Sequence, residues 1–231
     1  MQAPLPPQEK SDETASAPRP LVRERVFETV RQAIIEGQIA PGARITEREL
    51  CENFAISRTA AREVVRMLAA EKLVVVEAHR GLSVARLDAA QVAEIYRIRT
   101  ELEVIVLRAF LAAASAEDLR QAQAYGEAML AAGARGDTVQ VVETMASFER
   151  FQYAVAGTVV AGEIIEHLKT RVAMLRLMAL REAGQLKTAM QGVRAIIHAI
   201  TARDAEAAEA AVRTFVARSG DAALRQLDGA P

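Results

Sequence analysis

The chain of 231 residues has one cysteine, no tryptophan and only 4% aromatic residues, although 51% of its residues are hydrophobic. The single cysteine, Cys51, excludes an internal disulfide and suits a reducing compartment. We expect Cys51 to be a small packed residue of a short helix rather than a reactive thiol. Because β-sandwich cores depend on aromatic and β-branched residues, this composition favours long packed helices.

Long uncharged apolar runs are also missing. No stretch approaches the roughly 20 residues that a bilayer-spanning helix needs. Residues 1–20 contain five prolines and lack the apolar segment of a signal peptide, so we expect a disordered tail there. The protein is therefore expected to be soluble and cytoplasmic, with no membrane partner. A net charge of −1 does not by itself predict a nucleic-acid partner, so the placement of the charges has to decide.

Residues 21–87 show the pattern of three helices followed by a β-hairpin. Apolar residues at every fourth position predict a first helix over residues 22–34. Thr46 and Glu49 match the capping box of a short second helix, and Ser57 is a suitable N-cap for a third. Two β-rich runs, LVVVE and LSVARL, are joined by AHRG and predict the hairpin.

The third predicted helix carries Arg58, Arg62 and Arg66, which share one face because they are four residues apart. A row of arginines alone is also typical of an ordinary solvated helix face. Here, however, a short capped helix and a turn precede the row, and a hairpin with a basic tip follows it. This order predicts a winged helix-turn-helix whose third helix enters the DNA major groove.

Beyond Asp88 the strand patterns end, and the rest of the chain reads as helical. Asp88, Ser115, Asp137 and Asp204 are suitable N-caps for four of six predicted helices. The expected fold is therefore mainly α, with an N-terminal winged helix-turn-helix domain followed by an all-α helical-bundle effector domain. The predicted boundaries are 1–20 for the tail, 21–87 for the DNA-binding domain and 88–231 for the bundle.

Several motifs carry a resemblance to a known family. The segments GQIAPGARITEREL, SRTAAREVVRML and HRGLSVARL resemble the winged-helix domain of the GntR family of bacterial transcription regulators. The segments YRIRTELE and ITARDAEAAEAAV are similar to the effector domain of its FadR subfamily. Two departures are mild: Ala60 and Ala61 replace a commoner Pro-Val pair, and Lys72 replaces a usual glycine. Neither change removes a base-reading residue.

The resemblance implies operator contacts, a phosphate contact and a minor-groove probe at the wing. Residues at the start of the third helix add to these, since a helix N-terminus suits phosphate. The expected DNA-binding residues are Arg44, Arg48, Ser57, Arg58, Thr59, Arg62, His79, Arg80 and Gly81.

Many members of the subfamily hold a divalent metal ion in the helical domain with one aspartate and three histidines. On an alignment of local motifs, these positions are occupied here by Met145, Glu149, Val193 and Phe215. Apolar side chains cannot hold a cation, and one carboxylate is insufficient, so we expect no metal and no cofactor. A relocated metal site using His167 or His198 is the less favoured alternative.

An apolar bundle centre leaves two interpretations open: side chains fill it, or an organic effector binds there. We favour an effector, because bundle cores commonly hold ligands. A carboxylate is the expected ligand if Arg99 faces inward, and the resemblance adds an acyl-CoA-like molecule, which one metal-free member of the subfamily senses. The expected effector-binding residues are Arg99, Met145, Glu149, Tyr153, Val193 and Phe215.

The predicted function is a ligand-responsive, sequence-specific transcriptional regulator, with a repressor released by its effector as the favoured form. A helix-turn-helix protein of this kind is expected to bind a near-palindromic operator as a homodimer. The alternatives are a metal-responsive or ligand-free DNA-binding protein and, less favoured, an all-helical enzyme. The sequence shows no catalytic triad and no phosphate-binding glycine loop, so we expect no enzymatic activity.

Overall fold

The computed structural model describes residues 19–77 and 81–228 of the chain. These residues divide into two compact units, with the boundary between Arg86 and Leu87. In chain order the elements are α1 (Arg19–Ile35), β1 (Arg44–Ile45), α2 (Glu47–Phe54), α3 (Arg58–Ala70), β2 (Val74–Glu77), β3 (Gly81–Val84), α4 (Ala89–Ala113), α5 (Ala116–Ala134), α6 (Thr138–Ala156), α7 (Val159–Leu180), α8 (Gln185–Thr201) and α9 (Ala205–Asp228).

The first unit packs α1, α2 and α3 beside a small antiparallel sheet in the order β1-β3-β2. Its core includes Ile34, Ile45, Leu50 and Leu68, all of which are almost fully buried. The predicted three helices and hairpin are confirmed. The strand β1 was not predicted, because two residues are too few to show an alternating pattern.

The predicted helix starts in the first unit rest on side-chain caps. Thr46 Oγ1 accepts a hydrogen bond of 3.1 Å from the Glu49 main-chain N–H, and the Glu49 carboxylate accepts one of 2.8 Å from the Thr46 N–H. Ser57 Oγ accepts one of 3.2 Å from the Ala60 N–H. These bonds satisfy N–H groups that have no partner inside a helix, so they fix where α2 and α3 begin.

Two details of the first unit differ from the expected pattern. The helix α1 begins at Arg19, inside the tail predicted for residues 1–20, because proline at position 20 is well suited to the first turn of a helix. Residues 1–18 lie outside the described ranges. Lys72, at the position where the resembled family usually has glycine, adopts φ of +59°. This left-handed conformation favours glycine and costs a lysine on the order of 1 kcal/mol.

The second unit is the predicted bundle of six helices, α4 to α9. The long helices α4 and α9 pack against each other, α9 also packs on α8, and α5 lies between α6 and α8. Its core contains Leu107, Phe110, Leu175, Ile200 and Val216, each buried. Capping bonds from the predicted N-caps begin α4, α5, α6 and α9. None of the described helices combines the length and hydropathy needed to cross a bilayer.

Removing the cap of α2 should destabilise the first unit measurably. Thr46→Ala leaves the Glu49 N–H without its partner, so we expect the free energy of unfolding to fall by about 1 kcal/mol. Urea unfolding followed by circular dichroism measures the change.

Thr29→Ala is the matched control, because the exposed Thr29 hydroxyl donates to the carbonyl oxygen of Arg25 within α1. Alanine is the better helix former there, so we expect no loss of stability. An equal loss in both variants would contradict the capping role of Thr46.

Candidate DNA-binding face and effector cavity

The helix α3 has one apolar face and, opposite it, one basic face. Ala61, Val64 and Leu68 are fully buried in the core of the first unit. Arg58 and Arg62 belong to the opposite, exposed side, as does Arg66. Because α2 and α3 are joined by the short segment at residues 55–57, the pair has the geometry of a helix-turn-helix with a basic outer face.

Two arginines on this face are paired with carboxylates of the same unit. Arg62 Nε lies 3.2 Å from an oxygen of Glu47 on α2, and Arg48 Nε lies 3.8 Å from an oxygen of Glu52. All four side chains are well exposed, so these pairs contribute little to stability and can be exchanged for contacts to phosphate. Glu47 was not predicted as part of the site, although its position at the start of α2 made a contact with α3 plausible.

Other predicted DNA-binding residues are also exposed. Arg44 lies on β1 opposite Ser83, and among the described residues neither Arg44 nor Arg58 forms an ion pair. Thr59 is exposed in the first turn of α3. Ser57 Oγ accepts the capping bond, which leaves its hydroxyl hydrogen free to donate to a phosphate oxygen.

Of the wing, the structure describes the two strands β2 and β3 but not residues 78–80 between them. Gly81 begins β3, where it pairs with Glu77 of β2. His79 and Arg80, the predicted minor-groove residues, lie outside the described ranges, so their role stays a prediction.

The second unit contains a cavity of about 60 Å³ at the centre of the bundle. The structure brings four of the six predicted effector-binding residues to its wall: Met145, Glu149, Val193 and Phe215. The ring of Phe215 reaches this position because Gly192 faces it on α8, where a Cβ atom would lie 2.6 Å from the ring. The rest of the wall is mostly apolar.

Tyr153 and Arg99 do not line this cavity, contrary to prediction. The Tyr153 ring lies against Gly162 of α7, and its hydroxyl donates a hydrogen bond of 2.6 Å to Glu166. Partial burial, together with this bond to a carboxylate, raises the pKa of Tyr153 above its ordinary value. Arg99 is buried one turn before Glu103 on α4 and donates to that cavity-lining carboxylate over 2.7 Å.

A buried network of charges forms the polar end of the cavity. Arg176 of α7 is only 6% exposed and donates two hydrogen bonds to the carboxylate of Glu149 on α6. It also lies 3.6 Å from Glu103 of α4, whose same oxygen accepts the bond from Arg99. Arg176 and Glu103 were missed by the sequence analysis, although an arginine inside the apolar run AMLRLMAL is itself a sign of a buried charge.

Some donors of this network are buried without a hydrogen-bond partner among the described residues. They are Nε of Arg176, the two terminal nitrogens of Arg99 and the hydroxyl of Tyr96. Burial alone would lower the pKa of Arg99, but its interactions with Glu103, Tyr96 and Glu149 together outweigh burial and raise the pKa above the ordinary value. Burial raises the pKa of Tyr96. Arg99 is therefore charged and Tyr96 neutral at neutral pH.

No metal site is assembled by the histidines of the bundle. His167 is exposed, with Nδ1 2.8 Å from the carbonyl oxygen of Glu163, and His198 is exposed in the last turn of α8. Within residues 19–77 and 81–228, no three His, Cys, Asp or Glu side chains converge in a way that could hold a metal ion. Three of the four aligned ligand positions hold apolar side chains of the cavity wall, namely Met145, Val193 and Phe215, which cannot coordinate a cation.

The fold and these two regions define a class: a DNA-binding winged helix joined to a helical ligand-binding domain. Residues 22–84 match the family model described as bacterial regulatory proteins of the gntR family, and residues 94–218 match the FCD domain. The chain therefore belongs to the GntR-family transcriptional regulators that carry an FCD domain.

Individual relatives match this chain over most of their length. The chain is 26% identical over 200 residues to the HTH-type transcriptional repressor RspR of Escherichia coli, covering 87% of this chain and 88% of that protein. It is 24% identical over 221 residues to the galactonate operon transcriptional repressor of the same species, covering 85% and 94%. The solved structure of E. coli McbR/YncC superposes with a TM-score of 0.73 at 23% identity, covering 89% of this chain and 98% of that one.

Breaking the buried network of charges should destabilise the protein strongly. Arg176→Met leaves two carboxylates in the bundle without this partner, so we expect the free energy of unfolding to fall by about 3–5 kcal/mol. Arg194→Met on the exposed side of α8 is the control, with an expected change below about 0.5 kcal/mol. A loss below about 1 kcal/mol for Arg176→Met in urea unfolding would show that the network is not buried as described.

Metal removal should leave the bundle unchanged. A metal ion bound to the native state alone would stabilise it by mass action, so its removal would lower the melting temperature. We expect dialysis against EDTA to shift the melting temperature by less than about 1 °C. A larger fall that is reversed by adding a divalent cation would contradict a metal-free bundle.

Proposed function

We propose that this protein binds a near-palindromic operator as a homodimer and releases it when a small organic effector enters the bundle cavity. The observation that carries the DNA-binding part is the arginine face of α3, which is exposed on a helix-turn-helix whose other face is fully buried. DNA binding implies action in the cytoplasm, where a bacterium keeps its chromosome.

The contacts on DNA follow from the positions of the side chains. In a helix-turn-helix, the first residues of the second helix reach base edges, so Arg58, Thr59 and Arg62 are the candidates for sequence reading. An arginine can bind guanine O6 and N7 with two hydrogen bonds. Arg44 and Arg48 lie on neighbouring exposed elements and would neutralise phosphates. His79, Arg80 and Gly81 of the wing are proposed to reach the adjacent minor groove.

The effector part rests on the cavity in the second unit. Four predicted residues line it, and its wall joins apolar side chains to a buried polar network. A volume of about 60 Å³ is well below the roughly 300–1,000 Å³ of pockets for drug-sized ligands. It therefore favours a small organic molecule over an acyl-CoA.

Regulation would work as a population shift. An effector can move the protein away from its DNA-binding state only by the difference between its affinities for the two states. Residues 84–91, which contain the unit boundary and the Asp88 cap of α4, are proposed as the hinge that transmits this shift. Two relatives named as repressors support repression as the form of regulation.

Neutralising two arginines of α3 tests the DNA-binding part. We expect the double variant Arg58→Ala, Arg62→Ala to bind an operator duplex, selected from random DNA, at least about 30-fold more weakly, because each base contact contributes roughly 1–3 kcal/mol. Fluorescence anisotropy at several salt concentrations measures affinity and its dependence on salt.

The matched control is Arg194→Ala with Arg218→Ala, which removes two exposed arginines from the second unit. It makes the same change in net charge and should keep the affinity within about threefold. Unchanged affinity and salt dependence in the α3 variant would refute DNA reading by this helix.

A further inference from the structure

The polar end of the bundle cavity carries no net charge. Arg99 and Arg176 contribute two positive charges, and Glu103 and Glu149 contribute two negative ones. Tyr96, which also interacts with Arg99, is buried and neutral and adds no charge. The two guanidinium groups are therefore already neutralised by the protein's own carboxylates.

This balance sets what the cavity can accept. A ligand carboxylate placed beside Arg176 would leave one excess negative charge among side chains that are at most 18% exposed. Burying an unbalanced charge costs several kcal/mol, whereas a neutral group that receives a hydrogen bond avoids this penalty. A carboxylic acid can enter without excess charge only if one proton enters with it, either on the ligand or on one of the two glutamates.

The hydrogen-bonding groups at the cavity match a neutral ligand. Arg176 lines the cavity, is 6% exposed and has a buried Nε–H with no partner among the described residues. The amide of Gln152 also lines the cavity and offers one donor group and one acceptor. A carbonyl or hydroxyl oxygen would accept from the arginine, while apolar atoms would contact Met145 and Val193. The volume holds about four water molecules, so the ligand is small.

We infer that the effector cavity takes a small ligand that is uncharged when bound and carries a carbonyl or hydroxyl acceptor, and that a carboxylic acid binds only together with a proton. This inference rests on the proposed effector role of the cavity. It assigns Arg176 as the donor to the ligand and Glu149 as the residue that disfavours free carboxylates.

Three probes of about six non-hydrogen atoms test the ligand class on the full-length protein: butyramide, γ-butyrolactone and butyrate. Proteins labelled with ¹³C at the methionine methyl groups report binding at Met145 and Met129 of the cavity wall, with Met67 of the first unit as an internal reference. We expect the amide or the lactone to shift the two cavity signals equally at about pH 6 and about pH 8. The affinity for butyrate should fall about tenfold per pH unit over that range, since one proton is taken up per ligand.

A single substitution tests whether the charge of Glu149 causes the pH dependence of butyrate binding. Glu149→Gln keeps the shape of the side chain and leaves the network with one net positive charge, so butyrate should bind at least about tenfold more tightly at about pH 8 and lose its dependence on pH. Glu143→Gln makes the same chemical change on the exposed side of α6 and should leave butyrate binding unchanged. If Glu149→Gln does not fold, the pH series on the unmodified protein still decides the matter.

Two results would overturn the inference. One is that butyrate binds the unmodified protein more tightly than butyramide, with no dependence on pH. The other is that no probe shifts Met145 or Met129 at about 50 mM, where even weak binders of this size are detected. In the second case, a protein that still binds its selected operator would retain the DNA-binding part of the proposed function. If the protein bound no operator at all, that result would refute the proposed function itself, whatever the probes show.

Discussion

A guanidinium group held between two carboxylates at the centre of a helical bundle is the interaction on which the second unit depends. Arg176 on α7 binds Glu149 on α6 and lies next to Glu103 on α4, so one cation connects three helices. Replacing such a network with apolar residues is often neutral or stabilising, so stability alone does not account for it. Arg176 also lies on the wall of the cavity, where in the proposed function the network forms the polar end of the effector site.

In the first unit the important charges are exposed, on a helix whose other face is buried in a small core. The apolar residues of α3 repeat on the buried face, and the arginines take the positions between them. Because Ser57 caps the helix with its own side chain, the N-terminal turn that carries Arg58 and Thr59 is held in place by local bonds. The arginine face of α3 therefore depends on short-range interactions, whereas the cavity depends on packing among six helices.

This difference explains how much could be predicted from the sequence. The capping boxes at Thr46, Asp88 and Ser115 involve residues three apart, so the helix starts could be identified directly. The apolar cavity positions Met145, Val193 and Phe215 were identified by resemblance to a family. The two-residue strand β1 gave no periodic signal, because it exists only through its pairing with β3.

The polar end of the cavity was predicted less well. Arg99 and Tyr153 were expected to meet a ligand, but Arg99 turns to Glu103 and Tyr153 to Glu166. The arginine that lines the cavity, Arg176, lies between apolar residues of α7. Only the packing of α7 against α4 and α6 shows that its side chain points into the bundle. Side-chain partners that are 27 residues apart along the chain cannot be read from local spacing.

The ion pair between Arg62 and Glu47 has a consequence for how the protein binds DNA. A guanidinium that already has a carboxylate partner exchanges one salt bridge for another when it meets an arbitrary phosphate, and this exchange yields little free energy. A guanine edge has two acceptors in the plane of the guanidinium, so it can replace the contact to Glu47 with two hydrogen bonds. In the proposed DNA complex, opening this exposed pair costs the same small amount of free energy on any sequence, so Glu47 lowers the affinity for duplex DNA without changing the preference for the operator.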